Sequence, residues 1–146
     1  MLRVRGRLCA LPLEHVVETM RPQPVSSVAE PPPCVAGVAV IRSAAVPVVD
    51  VGRLLDPSAR VEPGSAQRAL RFVTVRTGDR TVALAVDEVV GIRTLTTDAL
   101  RDLPPLLREA GSDAVAAIGT LDAELLLVLR AARLVPAPDR TEGAAG

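Results

Sequence analysis

The chain has 146 residues, 49% of them hydrophobic, and its 17 basic residues balance 17 acidic ones. That length suits one domain, or two small barrels sharing a core. With Phe72 as the single aromatic and no net charge, it lacks both the stacking platform and the positive field that nucleic-acid binding relies on.

Apolar runs are short and broken by charges, far below the ~20 residues that span a bilayer. The N-terminal MLRVRGRL has no apolar stretch of signal-peptide length. A soluble cytoplasmic protein without membrane insertion is the simplest expectation. Cys9 and Cys34 lack metal-ligand spacing, and His15, the one histidine, has no nucleophile in a recognisable motif beside it. Cys9, in an apolar run, reads as a small core residue, and Cys34, after Pro31-Pro32-Pro33, as a free thiol in a loop.

In chain order, Leu2–Arg5 and Arg7–Leu13 read as a hairpin turning at Gly6, and Glu14–Met20 as a short helical or extended connector. Arg21–Pro33 holds five of the thirteen prolines, which cannot donate to a sheet ladder, so it is a loop. In Gly37–Val51, GVAVIRSAAVPVVDV, two apolar runs flank Arg42-Ser43, as in two buried strands with a tight connection. Leu54-Leu55 follow at the spacing of a helical turn, and Asp56–Ala66 is a surface linker. Ala69–Arg76 and Arg80–Val86 form a hairpin around Thr77-Gly78-Asp79. Val89–Leu95 continues as a strand, Thr97–Leu100 as a helical turn, Val115–Leu121 and Glu124–Leu129 as the last hairpin, and Ala131–Val135 as a short helix. The predicted core includes Val38, Val40, Val46, Val48, Leu84 and Val86.

The chain also repeats itself. At an offset of 80, Gly37–Leu55 falls on Ala117–Val135 without gaps, and at an offset of 73, Ala10–Val17 falls on Ala83–Val90. Each half reads as hairpin, connector, loop, hairpin and short helix. Two similar barrels packed together account for both the repeat and the apolar content, since neither half can bury a sufficient core alone.

Four segments carry a family resemblance. Gly37–Val51 resembles the GVxNLRGxxxPVVDL signature of the CheW-like domain, the adaptor of bacterial chemotaxis arrays. Cys9–Leu13 resembles its YALPL run, Val16–Met20 its VxEV segment, and Leu84–Ile92 its LLVDEVLGV strand. The order and spacing match over essentially the whole chain. The resemblance implies an all-β fold of two intertwined five-stranded SH3-like barrels with short helices, as one domain over residues 1–136. The approximate sub-barrels are residues 1–60 and 68–136, with 137–146 as a flexible tail. It implies no catalysis and no cofactor. It also implies binding to the regulatory domain of a CheA-type histidine kinase and to the cytoplasmic tips of chemoreceptors, at membrane-associated receptor arrays. Val40 and Ser43 stand where the signature has Asn and Gly, and serine adopts a positive φ less easily than glycine.

No phosphate-binding loop, dinucleotide fingerprint, zinc-protease or nucleophile-elbow motif is present in the sequence. Adjacent carboxylates such as Asp87-Glu88 read as a solvated face. The expected function is a non-catalytic chemotaxis adaptor. The alternatives are a CheV-like or CheA regulatory-domain relative, or a diverged scaffold of another signalling pathway; Met1 directly before the first strand favours a stand-alone protein. Partner contacts are expected at Val17, Glu18, Met20, Arg42 and Val46. Glu18 and Arg42 occupy the family's VxEV and NLRG positions, in segments that are neighbours in that fold. Each is a charge set among apolar residues, so a Glu18–Arg42 ion pair is expected.

Overall fold

Two-residue turns organise the chain into hairpins. The computed structural model describes residues 1–30, 34–55, 71–95, 100–102 and 115–130. Its hairpins are β1 (Leu2–Val4) with β2 (Arg7–Ala10), β4 (Val35–Ile41) with β5 (Ala44–Asp50), β6 (Arg71–Thr77) with β7 (Arg80–Val86), and β10 (Val115–Leu121) with β11 (Glu124–Leu129). Single strands are β3 (Val16–Met20), β8 (Glu88–Val89) and β9 (Leu100–Asp102). A 3-10 turn, Leu13–His15, leads into β3, and one helical turn, α1 (Val51–Leu55), follows β5.

Such turns match the twist of their strands when φ is positive at both central residues, or at the first alone. Arg5-Gly6 (50°, 80°), Arg42-Ser43 (49°, 64°) and Asp122-Ala123 (51°, 65°) are of the first kind, and Gly78 (64°) begins one of the second. Ser43 therefore takes the conformation that the family's glycine would take more easily, held there by the ladder on either side.

The strands form two sheets, ordered β8-β1-β2-β11-β10-β9 and β3-β6-β7-β5-β4. The division expected at residues 1–60 and 68–136 is not the division of the sheets, because each takes strands from both halves of the chain. The first hairpin leaves its own half and lies parallel to the last, β2 against β11. β5 of the first half lies parallel to β7 of the second. The internal repeat is nonetheless kept to the residue. The pair Val48↔Ala83 becomes Val128↔Ala10 under the offsets 80 and 73, and Val16↔Val75 becomes Val89↔Leu2. Even the ladder irregularity recurs, between Val35 and Gly37 and again between Val115 and Ala117.

Burial follows this exchange. Ala39, Ile41, Val46, Val48, Phe72, Ala83 and Ala85 fill the five-stranded sheet. Leu8, Ala10 and Leu126 fill the six-stranded one. A third and larger cluster, including Leu2, Cys9, Val49, Val73, Leu84 and Leu129, joins the two sheets. Burial pushes the Cys9 thiol up to about 11, as suits an inert core residue. Two details fasten the exchanged hairpins. Arg3 meets Glu124 through two parallel contacts, Nη1–Oε2 2.5 Å and Nη2–Oε1 2.8 Å, and the Arg5 backbone N–H donates to Asp87 Oδ2 at 2.6 Å.

Of the predicted core, Val46, Val48, Leu84 and Val86 are buried, but Val38 is half-buried and Val40 is 69% exposed. The two-residue turn sets the reason: it pairs Ala39 with Val46 and Val40 with Ala45, and paired residues share a face. Val46 points inward, so Ala39 does too and Val40 points out. Gly37 is small for a separate reason. A Cβ there would sit 2.3 Å from the Ser26 carbonyl oxygen, because the segment at Ser26 bridges to Val38 across this strand. β2 stops at Ala10, before the expected Leu13, and β8 covers only the start of the strand expected at Val89–Leu95. Glu14–Met20 resolves into the end of a 3-10 turn and a strand. The readings at Asp56–Ala66, Ala131–Val135 and the tail lie outside the described residues, as does all of the helical turn expected at Thr97–Leu100 except Leu100, which begins β9 instead.

Truncating Val48 to Ala should cost on the order of 1–3 kcal/mol by lost burial and a cavity, whereas Val40→Ala should leave chemical denaturation nearly unchanged. The Arg3 hydrogen bond holds the Glu124 carboxyl below its ordinary value near 4.5. A carboxylate with a depressed folded-state pKa stabilises above its unfolded pKa and loses that effect as pH falls through the folded one. The melting-temperature gap between wild type and Glu124→Gln should therefore be present at neutral pH and shrink as pH drops below about 4.

Candidate functional site

The ion pair expected from the sequence is formed. Arg42 Nε donates to Glu18 Oε2 at 2.7 Å, with side-chain exposures of 78% and 27%. Arg42 sits at the first position of the β4–β5 turn, where a positive φ throws its side chain off the strand end. Glu18 lies on β3, the opposite edge of the same sheet, so the pair marks where that sheet curls toward itself. The contact uses Nε of an exposed side chain. The carboxylate raises the Arg42 pKa further through its hydrogen bond.

Glu18 is positioned by a residue that sequence reasoning missed. The β3–β6 ladder shifts register between Val16 and Glu18, and the buried Thr74 fills the gap. Its hydroxyl accepts from the Glu18 N–H at 3.2 Å and donates to the Glu18 carbonyl at 3.3 Å. Thr74 interrupts the otherwise apolar stretch Phe72–Val75, and that was the available signal. A bulge of this kind re-aims side chains, and here Val17 becomes exposed while Glu18 faces the turn.

The other expected contact residues divide. Val17, Glu18 and Arg42 lie together at the β3 edge and the β4–β5 turn. Met20 is half-buried and packs on the core of the five-stranded sheet. Val46, expected at the partner surface, is only 5% exposed. It belongs to the inward face of β5, because its direct partner Ala39 is on that face, and in this fold it supports the surface without reaching it.

A second feature, absent from the sequence reading, lies between the sheets. A cavity of about 640 Å³ is lined by residues that include Leu11, Leu13, Val16, Ile92, Arg93 and Leu95. Leu13 and Ile92 are exposed at its mouth. The segment after β8 is tied back by Val90 N–H to the Met1 carbonyl at 2.8 Å, and by the Met1 ammonium, which donates to the Gly91 carbonyl. Among the described residues no group of three His, Cys, Asp or Glu side chains is placed to hold a metal, and no helix is long and apolar enough to cross a membrane.

Two interleaved small barrels, an apolar groove between them and a charged turn beside an exposed strand edge define a β-barrel binding module. The family model of the CheW-like domain matches residues 1–139. The fold matches the crystal structure of the scaffolding protein TtCheW from Thermoanaerobacter tengcongensis with a TM-score of 0.71, at 19% identity, over 88% of this chain and 85% of that one. No curated protein matches the sequence. The chain belongs to the CheW-like domain family. It is a non-catalytic scaffold protein of chemotaxis signalling.

A double-mutant cycle at Glu18 and Arg42 should show coupling: exchanging the charges, Glu18→Arg with Arg42→Glu, should retain more partner binding than either single change. Purely additive losses would show that the two side chains act independently.

Proposed function

We propose that the protein couples chemoreceptors to a CheA-type histidine kinase by non-covalent contact alone. The groove receives the cytoplasmic tip of the receptor, and the surface at Val17, Glu18, Met20 and Arg42 receives the regulatory domain of the kinase. The observation that carries this reading is the open apolar groove between the barrels, with Leu13 and Ile92 exposed at its mouth. Apolar side chains left in water at the rim of a concave site favour a partner that covers them. The charged turn is a separate surface of a different character, and an adaptor needs two surfaces that can be occupied together. The likeness to a scaffolding protein over most of both chains supports the same role. On this reading the protein works in the cytoplasm beside membrane-anchored receptor arrays.

Pull-down with a chemoreceptor tip fragment and with the kinase regulatory domain tests the proposal. Leu13→Asp should abolish or strongly weaken capture of the receptor tip while leaving kinase capture intact. Val17→Asp should do the reverse, each with an unchanged circular-dichroism spectrum. Capture of neither partner by the wild-type protein would refute the coupling role.

A further inference from the structure

Among the described residues that line the groove, Arg93 is the one with a charged side chain. Its counterion is Asp122, with Nη1 to Oδ2 at 3.6 Å and side-chain exposures of 49% and 82%. That separation is too long for a hydrogen bond, and a pair this exposed is held weakly. The internal repeat gives the pair a meaning. Asp122 occupies the turn position equivalent to Arg42, with nearly the same φ, 51° against 49°. Arg93 lies two residues beyond Gly91, the equivalent of Glu18, on the segment that follows β8. The same latch is thus built twice with the charges exchanged, tight in one sheet and loose in the other.

The loose copy stands at the groove's rim. A cation there is half-exposed, set among Ile92, Leu95 and other apolar neighbours, and incompletely satisfied by its partner. We propose that Arg93 is the specificity-determining residue of the groove. It reads a carboxylate flanking the apolar face of the helical segment that docks there, and Asp122 holds the guanidinium in place until that carboxylate arrives. With the receptor tip proposed above taken as a helix, the ligand class is an acidic amphipathic helix whose apolar face enters the groove. An incoming carboxylate can take the planar fork through two hydrogen bonds, which Asp122 does not. This rests on the reading of the groove as a docking site.

The test uses two synthetic helical peptides that share a leucine face and differ at one flanking position, glutamate in one and glutamine in the other, titrated by calorimetry. Wild type should prefer the glutamate peptide by about tenfold, on the scale of one charge-assisted contact. Arg93→Gln should bind both peptides alike, Arg93→Lys should keep part of the preference, and Asp122→Asn should keep or increase it. Equal binding of the two peptides by wild type, or a preference that survives Arg93→Gln, overturns the assignment of Arg93. A preference lost in Asp122→Asn overturns the role given to Asp122, since the aspartate would then be required for recognition. Failure of the wild type to bind either peptide overturns the docking site itself, and so separates the two claims. Amide exchange over residues 90–95, unchanged in Arg93→Gln, shows that the wall of the groove is intact in the variant.

Discussion

The structure depends on two parallel strand pairings, β2 with β11 and β5 with β7. Each joins a hairpin from one half of the chain to a hairpin from the other. Parallel neighbours cannot be connected by a tight turn, so each sheet is completed only by chain that comes from elsewhere in the sequence. The largest apolar cluster lies between the sheets and draws residues from β1, β2, β5, β6, β7 and β11. Neither half contains a sheet of its own to bury, and this ties the two barrels into one cooperative unit more firmly than a surface contact would.

The functional surfaces arise where this regularity stops. At β3 the ladder slips by one residue, and Thr74 supplies the hydrogen bonds that the slip leaves open, which fixes Glu18 against Arg42. At β8 the ladder ends after two residues, and the chain beyond it, tied to Met1, lines the groove. The two positions are equivalent in the internal repeat. One has been kept as a paired edge and the other opened into a cavity, so a duplicated framework presents two different faces.

Much of this was legible in the sequence, and the residues show why. The hairpins announced themselves through apolar runs interrupted by short breaks, each with a polar residue or a glycine. The repeat survived because packing demands the same apolar periodicity in both halves. The Glu18–Arg42 pair was legible through the family resemblance and the cost of isolated charge among apolar residues. The core expected at Val38 and Val40 falls on the outer face of β4. The turn at Arg42-Ser43 already determined that Ala39, opposite Val46, had to point inward. Which hairpins share a sheet was not readable, since parallel partners carry no turn between them to mark the register. The groove was hidden for a similar reason: Leu13 lies far in sequence from Ile92 and Leu95, and all three look like ordinary strand residues.

The Arg3–Glu124 contact joins residues 121 positions apart. On the ribosome the first hairpin is made long before its sheet partner exists, and its outer edge waits with unpaired backbone groups while the chain between them is synthesised. The five-stranded sheet, whose members all lie between Val16 and Val86, can assemble first and offer the Val49, Val73 and Leu84 face as a template. Closure of the other sheet comes last and carries the loop-closure entropy of nearly the whole chain. The exchange that makes the folded protein a single unit therefore makes its nascent form dependent on protection of one short edge strand.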